Sequence, residues 1–353
     1  MSLKKILAAA SGIALAATMA ACSQESAGPT GGEGSGGSGS LTVVCGAQED
    51  WCQAVTKAFT EKSGIQTDYV RLSSGETVAR LGASKDSPEF DVWHGGPSDG
   101  FEAADEAGLI ERYTSDATAA IPDTYKSADG TWTGVYVGVL GFCSNSKVLD
   151  KIGAGAPESW ADLVKPEFKK QIGTAHPATS GTAYTTLWTQ MVLHDMDEAA
   201  TFDYMRQLNN NVLQYSKSGT APGQQAGRAE IATGLVFTHD CVKYYKEGMT
   251  DLVVTTPSEG TGYEVGGVGI IKNSQNLDAA KQYVDFAVSV EAQEIGPSVG
   301  SYQVPTNPDT PTTEDMLNLD EVTLIDYDSS AAGAMKAYLV SKFDSEVATA
   351  PKS

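Results

Sequence analysis

From Leu41 onward, apolar and polar positions fall into blocks of two alternating periods. "LTVVCG" (41–46) is a short β-rich run, and "DWCQAVTKAFTEKSG" (50–64) lays its apolar residues on one helical face before stopping at Gly64. "IQTDYVRL" (65–72) predicts a second strand. "SSGETVARLGASKD" (73–86) opens with Ser73 and has Glu76 three residues on, a capping box at a helix start. "FDVWHGG" (90–96) predicts a strand and "DGFEAADEAGLIERY" (99–113) a helix. This rhythm predicts an α/β fold with a largely parallel sheet.

The alternation continues after "WTGVYVGVLGFCSN" (132–145), a long apolar strand. "PESWADLVKPEFKKQI" (157–172) predicts two short helices, the first capped by Ser159, with Pro166 between them. "SGTAYTTLWTQMVLHD" (180–195) and the segment around "AATFDYMRQLNNN" (199–211) predict helices. "VLQYSKSGTAPGQQAGRAEIATGLVFTHD" (212–240) reads strand, turn, helix, strand. "EGTGYEVGGVGIIK" (259–272) enters a further strand, followed by helices over 277–296 and 331–348. Glycine-bearing strands on both sides of a middle block suggest a chain that crosses twice between two lobes. "GTGYEVG" is not a dinucleotide loop, because its third glycine is displaced and no helix follows.

The N-terminus adds a compartment. Lys4 and Lys5 precede an uncharged run, residues 6–21, that is too short and too rich in small residues for a spanning helix, so 1–21 reads as a signal peptide. Ala20-Ala21-Cys22 resembles a lipobox, which makes Cys22 the expected lipidation site. Residues 22–40, the lipidated cysteine and a Gly/Ser-rich stretch, cannot bury enough apolar surface to order and read as a flexible tether. An exported, lipid-anchored protein at the outer face of the cell membrane is the expectation. Four other cysteines, Cys45, Cys52, Cys143 and Cys241, are an even number in an oxidising compartment. Three pairings are open, and the short spacing favours Cys45–Cys52 with Cys143–Cys241.

The chain of 353 residues carries a net charge of −21, which argues against nucleic acid as a partner. A locally positive anion site remains compatible with it. Three helix starts carry hydroxyls and glycine: Ser73-Ser74-Gly75, Ser180-Gly181-Thr182 and Ser218-Gly219-Thr220. Unpaired backbone N–H groups at such starts suit phosphate, although each start alone is also an ordinary cap. Arg71, Arg80, Lys217 and Arg228 are the candidate cations nearby. A different chemistry stands at the end of the strand in "GLVFTHDC" (234–241), where His239 and Asp240 follow Thr238. No nucleophile elbow accompanies them, and no clustered metal-ligand motif such as H-E-x-x-H is present, so a ligand clamp is the preferred reading.

Taken in order, "RLSSGETVARL", "FDVWHGG", "PESWADLVKPEFKKQIG", "ATSGTAYTTL", "SGTAP" and "EGTGYEVGGVGIIK" resemble the extracellular solute-binding proteins of ABC importers. The resemblance is to the ferric-ion and sugar-phosphate branch, and most to hexose-phosphate binders. It implies a two-lobed type II periplasmic-binding-protein fold, with lobe one at 41–138 and 265–353 and lobe two at 139–264. It further implies a monomer without a cofactor or metal, no enzymatic activity, a small anionic or phosphorylated ligand, and a membrane permease as partner. By resemblance His239, Asp240 and Glu264 contact sugar hydroxyls, and Trp93 and His94 could add a wall and a donor. Core packing is the competing reading for Trp93, a hinge hydrogen bond for Glu264. Ferric iron is the alternative ligand, through Tyr244 and Tyr245, for which helix packing is the simpler reading. A secreted hydrolase using His239 is the alternative from another class.

Overall fold

The computed structural model describes residues 39–351, so the signal peptide, Cys22 and nearly all of the tether lie outside the described residues. The first half alternates as its hydrophobic pattern predicts: β1 (Leu41–Cys45), α1 (Glu49–Ser63), β2 (Thr67–Arg71), α2 (Ser74–Ala83), β3 (Val92–Pro97) and α3 (Ser98–Glu106). β1 lies between β2 and β3, parallel to both. The helix expected over 99–113 ends early. Gly108 turns the chain at a φ of 68°, a conformation that glycine adopts without strain, and Ile110–Glu111 become the short β4. α4 (Asp116–Ala119) follows.

β5 (Thr133–Asn145) is buried along its whole length. After it come α5 (Ser146–Ile152), two short 3-10 segments, Trp160–Val164 and Pro166–Phe168, where short helices were expected, and β6 (Ile172–Ala175). Then follow α6 (Gly181–Leu193), α7 (Glu198–Asn211), β7 (Val212–Ser216), α8 (Ala221–Gly227), β8 (Thr233–Phe237), α9 (Thr238–Lys246) and β9 (Leu252–Thr255). β10 (Tyr263–Ile271) leads to α10 (Leu277–Ala287), α11 (Val290–Gln293) and α12 (Ile295–Ser298), then β11 (Val304–Pro305) and α13 (Ser329–Glu346). The single helix expected over 277–296 breaks where the Ser289 hydroxyl accepts the Ala292 N–H and starts α11.

The strands form one mixed sheet in the order β2-β1-β3-β10-β5-β8-β6-β7, with β4 on β10 and with β9 and β11 on β5. It is less parallel than expected, because β5 and β10 are the two crossing strands and run antiparallel. β5 changes partners midway: Val139 pairs with Tyr263 of β10, and Leu140 pairs with Phe237 of β8. One strand therefore belongs to both lobes of the type II fold.

Each lobe has its own core. Phe142, Trp160, Trp188 and Phe202 centre the middle block, while Val43, Phe59, Val92 and Tyr283 centre the other lobe. α13 departs from the expected division. Ala332, Leu339 and Phe343 pack into the middle block's core, although 265–353 was assigned to lobe one. The same helix reaches α3 of lobe one, where Lys336 Nζ donates to Asp99 Oδ2 at 2.6 Å. The chain thus makes a third passage between lobes after β11. Both disulfides form as expected: Cys45–Cys52 ties β1 to α1, and Cys143–Cys241 ties β5 to α9.

Candidate ligand-binding cleft

β1, β2 and β3 in one lobe and β6, β7 and β8 in the other end at the same gap, and each delivers the next helix there. The residues capping α1, α2, α3, α6, α8 and α9 are Gln48, Ser73, Pro97, Ser180, Thr220 and Phe237. All six line one cleft. Ligands in open α/β folds bind at the carboxyl ends of strands for this topological reason. Six helix starts, each with the partial positive charge of its N-terminus, thus face the gap in a strongly acidic protein.

The cleft brings together Ser73, Ser74, Ser180, Gly181, Thr182, Gly219, Thr220, His239, Asp240 and Glu264. They divide into two groups. At one end, a β-carbon placed on Gly219 would stand 2.1 Å from Thr182 Oγ1 and 2.9 Å from Ser180 Oγ, and one on Gly181 would stand 2.9 Å from Ser74 Oγ. Hydroxyls from both lobes therefore crowd the same spot, left clear by the absence of side chains. Arg71 adds a cation to the lining. Its Nε donates to Ala47 O at 3.1 Å and its Nη1 to Ser73 Oγ at 3.3 Å. The other basic candidates lie elsewhere: Arg80 pairs with Glu89, Arg228 pairs with Glu230, and Lys217 does not line the cleft.

At the other end, His239 and Glu264 converge above Gly138, where an added β-carbon would lie 2.8 Å from His239 Cε1 and 3.0 Å from Glu264 Oε1. Phe237 stacks on the His239 ring at 5.7 Å. Burial holds the imidazole pKa below its ordinary value, with Asp240 acting in opposition, so the ring is neutral and its Nδ1 has no protein partner. Burial, then the charges of Asp240 and Asp99, push the Glu264 carboxyl well above its ordinary range. Asp240 accepts a 2.6 Å hydrogen bond from Gln48 Nε2, a contact that spans the two lobes.

Four expected residues stand apart from the cleft lining. Gly75 sits at the seam between lobes, where its N–H donates to Thr179 O at 3.1 Å. Trp93 is core, stacked on Phe101 at 4.0 Å. His94 bonds the Tyr283 hydroxyl at 2.8 Å, and burial pulls its pKa down to about 3. β3 lies between β1 and β10 with both faces covered, so neither side chain reaches the gap. Ser218 faces a neighbouring surface hollow and bonds Thr220 Oγ1. The iron candidates diverge: the buried Tyr244 donates to Thr220 O, whereas Tyr245 is 46% exposed.

Sequence reasoning overlooked Gln48, Tyr136, Pro97, Phe237 and Gln303, all of which line the cleft. Gln48 carried a usable signal, since it stands between a strand and a helix as Ser73 does. Tyr136 carried none, being one apolar residue within the long strand β5; its hydroxyl accepts the Gly96 N–H at 3.0 Å.

Residues 87–331 match the family described as bacterial extracellular solute-binding protein. The chain belongs to this family. A protein of Haemophilus influenzae is 38% identical over 317 residues, covering 88% of this chain and 91% of its own. The periplasmic binding protein AfuA of Actinobacillus pleuropneumoniae, solved with exogenous fructose 6-phosphate bound, is 37% identical with a TM-score of 0.84, covering 87% of this chain and 98% of its own. The periplasmic binding protein P5PA is 33% identical with a TM-score of 0.83, covering 88% and 99%. This solute-binding protein is the capture component of an ABC import system and acts outside the cytoplasm.

Proposed function

We propose that this solute-binding protein captures a phosphorylated small molecule, a sugar phosphate in the first instance, and hands it to a membrane permease. The observation that carries the reading is the convergence of six helix N-termini and Arg71 on one cleft. In a chain of net charge −21, such a focus of donors suits an oxyanion held by backbone N–H groups and hydroxyls. His239, Asp240, Glu264 and Gln48 then hold the hydroxyl-bearing end. The fructose 6-phosphate bound to AfuA supports the same assignment.

Binding closes the lobes about the crossings near Val139 and Glu264, and the contacts from Gln48 to Asp240 and from Gly75 to Thr179 belong to the closed form. The protein works as a monomer, exported and held at the membrane surface by a lipid on Cys22. Ferric iron is the weaker reading, because Tyr244 is committed to Thr220 and Tyr245 points away. Hydrolysis is weaker still: the unpartnered His239 Nδ1 has no hydroxyl to activate.

A thermal-shift screen of the metal-stripped protein tests this. Hexose phosphates should raise the midpoint where free sugars do not, since a ligand bound only to the folded state stabilises it by RT ln(1 + [L]/Kd). A shift with ferric citrate alone would overturn the reading.

A further inference from the structure

Behind the lobe-two wall of the cleft stands a histidine that does not itself line it. His176 follows β6 and is fully buried, with Tyr215 and Phe343 packed edge-to-face on its ring at 5.7 and 5.1 Å. Its Nδ1 accepts the Ala178 N–H at 3.1 Å, and its Nε2 meets Ala348 O, just beyond α13, at 2.7 Å. A backbone N–H can only donate and a carbonyl can only accept, so the ring proton sits on Nε2. Burial lowers the pKa of the ring, opposed by the Ala348 carbonyl and by Asp344, whose Oδ1 lies 3.7 Å from Nε2. The ring is therefore neutral, with one nitrogen for each partner.

The two bonds do different work. The Nε2 bond ties the ring to the end of α13. The Nδ1 bond closes the turn 176–180, in which the His176 carbonyl also accepts the N–H groups of Thr179 and Ser180, both at 3.0 Å. This turn carries three things to the cleft. Ser180 caps α6. Thr179 O accepts the Gly75 N–H of the other lobe at 3.1 Å. Thr179 Oγ1 donates to Lys217 O at 2.9 Å, just before the lining residues Gly219 and Thr220. We propose that His176 is a positioning residue for ligand capture: through Nδ1 it sets the turn 176–180, and with it the Ser180 and Gly219-Thr220 parts of the cleft wall, without touching the ligand. The inference rests on the phosphorylated-ligand reading and adds to it a residue outside the cleft.

Three substitutions in the full chain separate the two bonds. His176→Asn keeps an acceptor where Nδ1 stands, because an Asn side chain accepts the N–H two residues on, but it is too short for Ala348. His176→Gln reaches Ala348 with its amide and leaves the Ala178 N–H without its acceptor. Thr179→Val keeps the ring and removes, from a half-buried position, only the hydroxyl that meets Lys217 O. Each is titrated with fructose 6-phosphate by calorimetry and melted without ligand. The Asn variant should bind within about threefold of the parent despite a lower midpoint, and the Gln variant on the order of tenfold more weakly. Thr179→Val should bind several-fold more weakly at a nearly unchanged midpoint. Equal affinities in the Asn and Gln variants, or affinities that simply follow the midpoints, overturn the positioning role while leaving phosphate capture intact. If the Gln variant does not fold, undiminished affinity in Thr179→Val overturns it instead. A parent protein that binds no hexose phosphate overturns the phosphorylated-ligand reading and this role with it.

Discussion

Gly75 offers a substitution that acts on closure alone. Its backbone belongs to the first turn of α2 in lobe one, and it meets the backbone of residues 178–179 in lobe two. A β-carbon there would lie 2.3 Å from Ala178 O and 3.0 Å from Thr179 Cα. Neither neighbour is a flexible side chain, so the lobes must part. Overpacking of this kind costs about 1–3 kcal/mol, and the hydrogen bond from Gly75 N–H to Thr179 O contributes about 0.5–1.5 kcal/mol. Together these weaken the closed form by about 1.5–4.5 kcal/mol, and ligand affinity by roughly ten- to a thousandfold. The open form loses nothing, and Ala in place of Gly strengthens a helix by about 0.5–1 kcal/mol. Gly75→Ala should therefore melt no lower than the parent without ligand, yet bind hexose phosphate far more weakly by calorimetry. Undiminished affinity, or a loss of ligand-free stability as large as the loss of binding, would refute the assignment of this contact to the closed form.

Three further outcomes are expected. His239→Ala leaves the ligand short of a partner, and calorimetry should show a loss of about 2–3 kcal/mol in affinity. Replacing Cys143 and Cys241 by Ala opens a loop with a sequence separation of 98; denaturant unfolding should show a loss of about 4–5 kcal/mol on the chain-entropy model. The pH dependence follows from His94, whose folded pKa of about 3 lies below its ordinary 6.5. The unfolded chain takes up the proton first, so stability is retained above pH 6.5 and falls by about 1.4 kcal/mol per pH unit between there and pH 3. In His94→Asn the slope measured by denaturant titration over that range should flatten by about one proton; an unchanged slope would remove His94 as its source.

Much of the fold was legible because strands and helices with one covered face leave a period in the sequence, as in 50–64 and 73–86. The chemistry was legible where a strand stops at a polar cap, which is why Ser73, Ser180, Thr220, His239 and Asp240 were found. Glu264 came through the resemblance alone. What escaped depends on tertiary neighbours. Trp93 and His94 look like strand-end residues until β10 covers β3 on its second side. α13 carries no mark in its sequence of the lobe on which it packs, and Gly75 resembles a phosphate-contacting glycine until the opposite lobe is seen to fill the space beside it. Gln48 and Tyr136 were hidden for the same reason, since they reach the cleft from the end of β1 and from within β5.

The most direct measurement is a crystal structure of the protein with a hexose phosphate. The phosphate is expected among Ser73, Ser74, Ser180, Thr182, Thr220 and Arg71, within hydrogen-bond reach of the starts of α2, α6 and α8, with the sugar against His239, Asp240 and Glu264. A phosphate seated at the carboxylate end, or a ligand bound outside the cleft, would contradict the assignment of the helix N-termini as the anion site.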